Sequence, residues 1–515
     1  MTAATALRTT SHAEAPRREL PILDSEGALA IRLIEMARKT GEAGLVHVAG
    51  SEGRAERLAH LIWALAPEFE TTIYPAWDCL PFDRTSPSAK VMGRRVAALS
   101  TLARPATRPR IVLTVPDALL QRVPPREVWP DAGFELKLGD SVDLAELVAA
   151  LERIGYAADE RVDEPGEFAL RGQVLDIFPA GFYLPVRIDH EEGRITGISS
   201  YDAASQRKTD AFEALVLRPT SEVILHPSDD GEIAQRAPGI EHRLSEFYPR
   251  LETLFDYLPD ATFVVEPRAE DRRAAFLEQV ADAHESRIRL DRSGGRPPSP
   301  DRLYLDAAAA ERCLATHPMI HLVESPDADA PDKVPHFALE ARPDERLSAF
   351  VAGARGAGSR VVLAAPSKED LARLIRRIAR ALGDTPVPAA DWAAIEAAAP
   401  GSLLAMALPI ERGFATPDGS TTFIAAADIL GSRTRSVGAA GSGLVEEEEF
   451  RIGDAVIHLE HGVGVLHGLE TVETQPGHAT DTLRLGYAGD AVLMAPVDQI
   501  DLMWRYGAVA EGVTL

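Results

Sequence analysis

The chain has 515 residues, a length that predicts three to five domains rather than one core. Hydrophobic residues make up 45% of it, which is ample for packed interiors. The formal net charge of −25 argues against a protein that wraps nucleic acid through a broad basic surface, because phosphate contacts need clustered Lys and Arg. Protein partners, or a local basic groove for DNA, fit this composition better.

Cys79 and Cys313 are the two cysteines, so the sequence excludes a disulfide framework and a thiolate zinc site. This usage predicts a reducing, cytoplasmic location. No apolar run reaches the roughly 18 residues that span a bilayer, so we expect no membrane partner. The start of the chain lacks the hydrophobic core of an export signal, and we expect residues 1–21 to form a disordered tail.

An alternation of helical and strand patterns begins after this tail and predicts a parallel sheet covered by helices. We assign it to residues 22–130 and expect the same domain to resume at residues 219–343. The helical segments are Ala28 to Lys39, a helix through Leu58 and Leu65, and Ala89 to Leu102; the strands are Leu45 to Val48, Thr72 to Tyr74 and Ile111 to Val115.

Between these two parts, residues 131–218 change pattern. Extended runs at Phe168 to Phe178, Leu184 to Ile188 and Ile195 to Tyr201 are separated by glycine and acidic turns, which predicts a mostly antiparallel insert. Helical patterns return at Ile240 to Phe255 and from Arg268.

A second small α/β domain is predicted over residues 344–435, where a strand at Arg360 to Ala365 precedes a helix capped by Ser367 and Asp370. Residues 436–449 are Gly-rich and then acidic, as in a flexible linker. Residues 450–515 contain short alternating runs punctuated by glycines, and these predict a small, strongly bent antiparallel sheet.

The turn from Gly50 to Gly53 lies where a phosphate-binding loop would lie in a RecA-type nucleotide-binding fold. Such a loop also needs Lys for the phosphates and Ser or Thr for magnesium, but here Arg54 and Ala55 follow. No Gly-Lys-Ser/Thr occurs in these 515 residues. We therefore interpret the turn as degenerate and expect no cofactor and no ATPase activity from this chain.

Two further motifs have a structural and a functional interpretation. The aromatic loop from Tyr74 to Asp83 could stack on nucleobases, but it has no basic residue before Arg84, which favours hydrophobic packing. His458 and His461 could ligate a metal, but an i, i+3 pair on an extended segment points to opposite faces. We expect no metal site, and no catalytic constellation stands out.

The run Phe168 to Pro179, with Leu184 to Asp189 and Tyr201 to Arg207, resembles the insert by which UvrB and the transcription-repair coupling factors (Mfd) bind UvrA. The resemblance implies that Arg171 and Arg187 contact UvrA. The alternative is that both arginines are solvated and pair with nearby aspartates, Asp176 and Asp189. One departure follows the strand: His190, Glu191 and Glu192 stand where the family tends to have aromatics. A charged Glu191 is expected to weaken the UvrA contact or change its specificity.

The block from Phe450 to Val497 resembles the RNA-polymerase-interacting domain shared by coupling factors and CarD-type regulators. It implies contacts with the polymerase β subunit from Leu469, Val472 and Met494. An exposed strand edge in such a sheet could add to a partner's sheet. The acidic character of residues 446–515 disfavours direct DNA binding by this domain.

The resemblance covers roughly residues 22–510 and implies a multidomain α/β protein. Its parts are a UvrB-like, degenerate RecA-type α/β domain with a mostly antiparallel α+β insert, a second small α/β domain, and a small bent β domain of CarD/Tudor-like type. Leu515 falls where a full coupling factor would begin its translocase motor. Three hypotheses remain open: a motorless adaptor that joins UvrA to RNA polymerase, a fragment of an ATP-dependent coupling factor, and a CarD-like regulator that binds polymerase without a repair role.

Overall fold

The structure is a computed structural model. It describes residues 17–226, 236–290, 296–324, 334–431 and 453–505, apart from short gaps at 24, 183, 204, 459–461, 476–477, 488–490 and 497–502. In these ranges no helix combines the length and apolar character needed to cross a membrane. The expected linker at residues 436–449 lies outside the described residues.

The first unit is a six-stranded parallel sheet with helices on its faces. Its strand order is β1-β14-β13-β2-β4-β3, and every neighbouring pair is parallel. In chain order the first part contains β1 (Arg17–Pro21), α1 (Glu26–Thr40), β2 (Leu45–Val48), α2 (Glu52–Leu65), β3 (Glu70–Tyr74), α3 (Ala89–Leu102), β4 (Arg110–Thr114) and α4 (Pro116–Leu119).

An insert separates β4 from the rest of this sheet. It contains β5 (Phe134–Lys137), α5 (Leu144–Arg153), β6 (Ala157–Ala158), β7 (Glu167–Arg171), β8 (Val174–Ile177), β9 (Val186–Glu191), β10 (Arg194–Tyr201), β11 (Lys208–Ala211) and β12 (Ala214–Leu217). Strands β6 to β11 form one sheet in sequential order, antiparallel except for the β6–β7 pair, while β12 pairs with β5. The first unit resumes with α6 (Leu254–Tyr257), β13 (Thr262–Val265), α7 (Pro267–Leu290), α8 (Ala307–Ala315) and β14 (Met319–Val323).

The second α/β unit has five strands in the order β16-β17-β15-β19-β18. Its elements are α9 (Pro343–Gly356), β15 (Arg360–Ala365), α10 (Lys368–Leu382), β16 (Val387–Pro388), α11 (Trp392–Ala397), β17 (Leu403–Ala407), β18 (Phe414–Ala415), β19 (Thr421–Ala425) and α12 (Ala426–Leu430). The terminal sheet has the order β23-β22-β21-β20-β24, formed by β20 (Ala455–His458), β21 (Gly462–Gln475), β22 (His478–Gly486), β23 (Val492–Pro496) and β24 (Met503–Arg505). The predicted multidomain α/β architecture is confirmed.

Helix α1 holds the two α/β units together. Ser25 caps it by accepting a hydrogen bond from the Ala28 amide, and its buried residues belong to a hydrophobic cluster that also contains Trp392, Phe414 and Phe423 of the second unit. A Cβ added to Gly27 would lie 2.2 Å from the Phe414 ring. Helix α1 therefore needs glycine here so that the second unit can approach closely.

The terminal sheet also contacts the first unit. Within β20, Ala455 and Ile457 join the hydrophobic cluster of the parallel sheet, while Val456 between them joins the core of the terminal sheet. Alternate residues of a strand point to opposite faces, so β20 is buried on both sides. The strand thereby connects the terminal sheet to the first unit.

Two sequence predictions are wrong. Of the expected disordered tail at residues 1–21, residues 1–16 lie outside the described residues, and residues 17–21 contradict the prediction because they form β1, which pairs with β14 in parallel. The helix expected from Ile240 to Phe255 is instead a 3₁₀ helix, Ile240–Glu246, followed by the separate helix α6. Pro249 lies between them; it lacks an amide hydrogen and disfavours a continuous helix, and Thr253 caps the new one.

Candidate partner-binding surfaces

The two predicted UvrA-contacting arginines lie on one face of the insert sheet. Residues paired across neighbouring strands share a face, and Arg187 in β9 stands opposite Asp176 in β8, which stands opposite Ala169 in β7. Arg171 is two residues beyond Ala169 and therefore projects from the same face. The side chains of this face, which we call the arginine face, also include Asp189 and Glu191.

Arg187 is already held by its own domain. Its Nε donates to Asp176 Oδ1 over 2.7 Å and its Nη2 donates to Asp176 Oδ2 over 2.9 Å, a bidentate pair. The same Nη2 donates to Gln206 Oε1 over 2.9 Å, and the Tyr201 ring lies 4.5 Å from the guanidinium carbon. The hydrogen bond to Asp176 raises the pKa of Arg187. Arg187 is thus a fixed, charged element of the face.

Arg171 has a different environment. It is exposed at the end of β7, and no hydrogen bond or ion pair joins its side chain to another residue in the described part of the chain. Asp189, which could have neutralised it, bonds instead to Lys208 of β11. The alternative interpretation of aspartate-paired arginines therefore describes Arg187 with Asp176, whereas Arg171 remains available to a partner.

The departure at His190 to Glu192 divides between the two faces of the sheet. His190 is buried beside the insert core, whereas Glu191 is exposed on the arginine face at the end of β9. Glu192 has φ +49° and Gly193 φ +79°, which turn the chain into β10. Of these three residues, Glu191 is the one that adds negative charge to the arginine face. It follows Arg187 and Asp189 along β9.

The three predicted polymerase contacts do not share one face. Leu469 is 62% exposed and stands opposite Leu483, which stands opposite Ala495. Met494, next to Ala495 in β23, therefore projects from the other face of the sheet. Val472 lies in β21 opposite Thr480, and its side chain is outside those described.

Val492 is an exposed neighbour of Met494 and is not among the polymerase contacts that the resemblance implies. It is 51% exposed and lies two residues before Met494 in β23, so both project from the same face. The alternation of Val492 and Met494 in the sequence is the signal that could have identified it. An apolar patch of this kind on a small sheet suits a protein partner.

The degenerate loop at Gly50 is occupied by the protein's own carboxylate. Glu266, which follows β13, accepts hydrogen bonds from the Gly50 amide over 3.0 Å and from Arg54 Nε over 2.6 Å. The fully buried His47 ring lies 3.1 Å from the same carboxylate. Burial by itself would raise the pKa of Glu266, but the bonds and charges of His47 and Arg54 outweigh it and lower this pKa to about 2.

Gly53 lies within the first turn of α2, and Ser51 is the residue that caps the helix, accepting from the Arg54 amide. In a nucleotide-binding loop the Gly50 amide would face a phosphate, but here it already donates to the Glu266 carboxylate. This arrangement agrees with the interpretation of the loop as a structural turn.

The aromatic loop after β3 is part of the core. Tyr74, Trp77 and Phe82 are buried, which agrees with the packing interpretation and leaves these rings unavailable to nucleobases. Arg95 of α3 is fully buried beneath them, with its Nε donating to Glu222 over 2.6 Å. This arginine therefore fixes the segment that follows the insert to the first unit.

The histidine pair is described in part. His458 pairs with Gly462 of β21 and Met503 of β24, and His461 lies outside the described residues. In the part of the chain that the structure describes, no group of three His, Cys, Asp or Glu side chains could hold a metal ion.

Comparison with known families identifies two domains. Residues 134–223 match the UvrB interaction domain, and residues 450–507 match the CarD-like/TRCF RID domain. Both descriptions are of non-catalytic modules.

Three relatives that match most of the chain are transcription-repair-coupling factors. The transcription-repair-coupling factor of Haemophilus influenzae is 28% identical over 527 residues, covering 93% of this chain and 44% of that protein. The Escherichia coli protein of the same name is 30% identical, covering 84% of this chain and 40% of that protein. The Bacillus subtilis one is 22% identical, with 88% and 42% covered. The chain thus spans less than half the length of these relatives.

The resemblance inferred from the motifs is therefore confirmed: residues 134–223 and 450–507 are similar to a UvrB interaction domain and a CarD-like/TRCF RID domain, and most of the chain is similar to part of the transcription-repair-coupling factors.

Proposed function

We propose that this chain connects transcription to DNA repair by binding two proteins. Its UvrB interaction domain would bind UvrA through the arginine face, and its CarD-like/TRCF RID domain would bind the β subunit of RNA polymerase. The observation that carries the proposal is the presence of both interaction domains on one chain. Two modest interfaces on one molecule act at high effective concentration where geometry allows both to engage.

The contact with UvrA would depend mainly on Arg171. Its guanidinium is exposed and has no partner in the described residues, so a carboxylate of UvrA could accept a bidentate pair from it. Arg187 would contribute charge and shape, because Asp176 and Gln206 already occupy its Nε and Nη2.

This division of roles gives a test with the single variants Arg171→Ala and Arg187→Ala. Loss of a charge-assisted hydrogen bond costs about 1.5–3 kcal/mol, so Arg171→Ala should weaken UvrA binding by roughly 10-fold to 100-fold. Arg187→Ala should lower the stability of the insert, because it leaves the buried carboxylate of Asp176 without its cation. The measurements are titration with purified UvrA and thermal unfolding of each variant. Unchanged UvrA affinity in Arg171→Ala would refute this assignment.

The contact with polymerase would use the exposed apolar residues of the terminal sheet. Leu469 and Val492 are more than half exposed, and Met494 lies beside Val492 on the same face. Leu469 projects from the opposite face to Val492 and Met494. Binding of the Val492→Asp and Leu469→Asp variants to the isolated β subunit therefore shows which face of the sheet contacts polymerase. The face whose substitution abolishes binding is the polymerase-facing one, and full binding by both variants would contradict the proposal.

A second candidate function is a CarD-like regulator that binds RNA polymerase without a repair role. The Glu191 carboxylate on the arginine face and the internal pairing of Arg187 favour it, because both reduce the positive charge offered to a partner. Polymerase binding together with no detectable UvrA binding, in the wild type and in Glu191→Ala, would support this function over the first.

ATP-driven translocation, as in a full coupling factor, would require residues other than these, since no Gly-Lys-Ser/Thr motif occurs in the chain. A phosphate-release assay on the 515-residue protein tests this expectation. Hydrolysis that disappears in a Gly50→Ala variant would contradict it.

A further inference from the structure

Neither matched domain includes the second α/β unit, and this unit carries a basic helix in an acidic protein. Helix α10 contains five basic and two acidic residues, whereas the whole chain has a net charge of −25. The apolar residues of α10 pack against the core of the unit; they are Leu371, Leu374, Ile375 and Ile378. Because the helix is amphipathic, its basic residues are directed outward.

The outward surface consists of Ala372, Arg373, Arg376 and Arg377, all exposed, with Lys368 at the start of the helix; we call it the α10 basic face. Lys368, Arg376 and Arg377 form no hydrogen bond or ion pair with any residue in the described ranges. Arg373 pairs with Asp370 over 3.3 Å, and its side chain is still 70% exposed.

The acidic residues of α10 offset this charge only partly. Asp370 belongs to the N-terminal cap, where its carboxylate accepts from the Ser367 hydroxyl over 2.8 Å. Glu369 is exposed in the same first turn. Acidic residues at this end stabilise the helix dipole, so they have a local structural reason to be there. The arginines lie one turn and more further along, away from that end.

We propose that the α10 basic face binds the phosphate backbone of duplex DNA. From Lys368 to Arg377 the helix rises about 13 Å, over which a duplex presents a phosphate charge about every 1.7 Å of its axis. Guanidinium groups bind phosphate oxygens bidentately. The contact would be independent of base sequence, since phosphate contacts position a protein without reading bases.

An acidic protein would also have the charge to bind the α10 basic face. The composition of this face disfavours such a partner. Protein interfaces concentrate their binding energy in buried aromatic and apolar anchors. The α10 basic face has Ala372 as its sole apolar member among the described exposed side chains. A phosphate backbone needs no such anchor.

The helix next to α10 exposes mostly small residues in its middle. Helix α9 lies beside α10, where the Ser348 hydroxyl donates to the Ala381 carbonyl over 2.9 Å. The exposed positions of α9 include Ala349, Ala352 and Gly353, and an added Cβ at Gly353 would meet no atom within 4 Å. Small side chains at these positions give this part of α9 a low surface, while Asp344 and Glu345 are exposed in its first turn.

The experiment is fluorescence anisotropy of a labelled mixed-sequence duplex with the full 515-residue chain, from about 50 to 200 mM salt. Each phosphate contact contributes about −0.9 to the slope of log K against log salt concentration. The Arg376→Glu/Arg377→Glu variant should therefore lower the magnitude of the slope by about 1.8 and the affinity at least about tenfold. Arg376→Lys/Arg377→Lys should keep most of the binding, because it keeps both charges.

The matched control is Arg104→Glu/Arg108→Glu, which makes the same charge change at two exposed positions between α3 and β4. It should leave the slope unchanged. DNA binding that both glutamate variants weaken equally, or that neither weakens, would overturn the proposal, as would absence of binding by the wild type. Binding of poly-glutamate in place of DNA would overturn it in favour of an acidic protein. Circular dichroism checks that each variant is folded.

Discussion

Replacing Glu266 by glutamine tests how the loop at Gly50 is held. The pKa of Glu266 is lowered from 4.5 to about 2, because His47 and Arg54 outweigh the effect of burial. Each pKa unit corresponds to about 1.36 kcal/mol, so the ionised carboxylate contributes about 3 kcal/mol to stability at neutral pH. Glu266 is 3% exposed, so solvent screens this interaction little.

The sign of the pH dependence follows from the direction of the shift. A group whose pKa is lower in the folded state stabilises the protein above its unfolded pKa, and this stability is lost as the pH falls from about 4.5 to about 2. Glutamine has no such dependence. The difference between wild type and Glu266→Gln should therefore fall from about 3 kcal/mol at pH 7 to about 1.4 kcal/mol at pH 3.

Urea unfolding followed by tryptophan fluorescence measures this difference at both pH values. Glu56→Gln is the matched control, because Glu56 pairs with Arg94 over 2.7 Å at a partly exposed site, where an ion pair contributes about 1 kcal/mol or less. A loss below about 0.5 kcal/mol at pH 7 for Glu266→Gln, or the same loss at pH 3, would refute the reasoning.

Two further substitutions test the packing of the first unit. Gly27→Ala should destabilise the protein by about 1–3 kcal/mol, because its Cβ would overlap the Phe414 ring, and unfolding by urea measures this. Arg95→Met should cost about 3–5 kcal/mol, since it leaves Glu222 buried without its partner, whereas the additional change Glu222→Leu should restore much of the loss. A double-mutant cycle measures that coupling, and additive losses would contradict it.

Local patterns in the sequence predict most of this architecture. Alternating strand and helix signals predict the parallel sheet, since βαβ connections require it, and the capping residue Ser367 identifies the start of α10. The aromatic loop is correctly interpreted as core, because an isolated run of rings without basic residues buries well. These features depend on residues close together in the chain.

Features that depend on distant residues could not be predicted in the same way. The ion pair of Glu266 with Arg54 joins residues 212 positions apart, and no periodicity connects them. Strand β1 is short and mostly exposed, so it carries no hydrophobic signal and is formed by pairing with β14. The placement of Leu469 and Met494 on opposite faces depends on strand register, which the motif alone does not define.

The arginine face likewise combines a feature that the motif predicts with contacts between residues distant in the chain. The resemblance implies the same role for Arg171 and Arg187, and both lie on one face of the insert sheet. Their availability differs because Asp176 and Gln206 are brought to Arg187 by the folding of β8 and the segment after β10. These contacts give the two arginines different roles, which the motif alone does not distinguish.

The most direct test of the connecting function is assembly of a three-component complex. RNA polymerase is immobilised, the 515-residue chain is added, and UvrA capture is then measured by surface plasmon resonance. We expect UvrA to be retained only in the presence of the chain, and Arg171→Ala to reduce its capture by at least about tenfold while polymerase binding stays unchanged. Equal UvrA capture with and without the chain, or binding of the two partners that is mutually exclusive, would contradict the account.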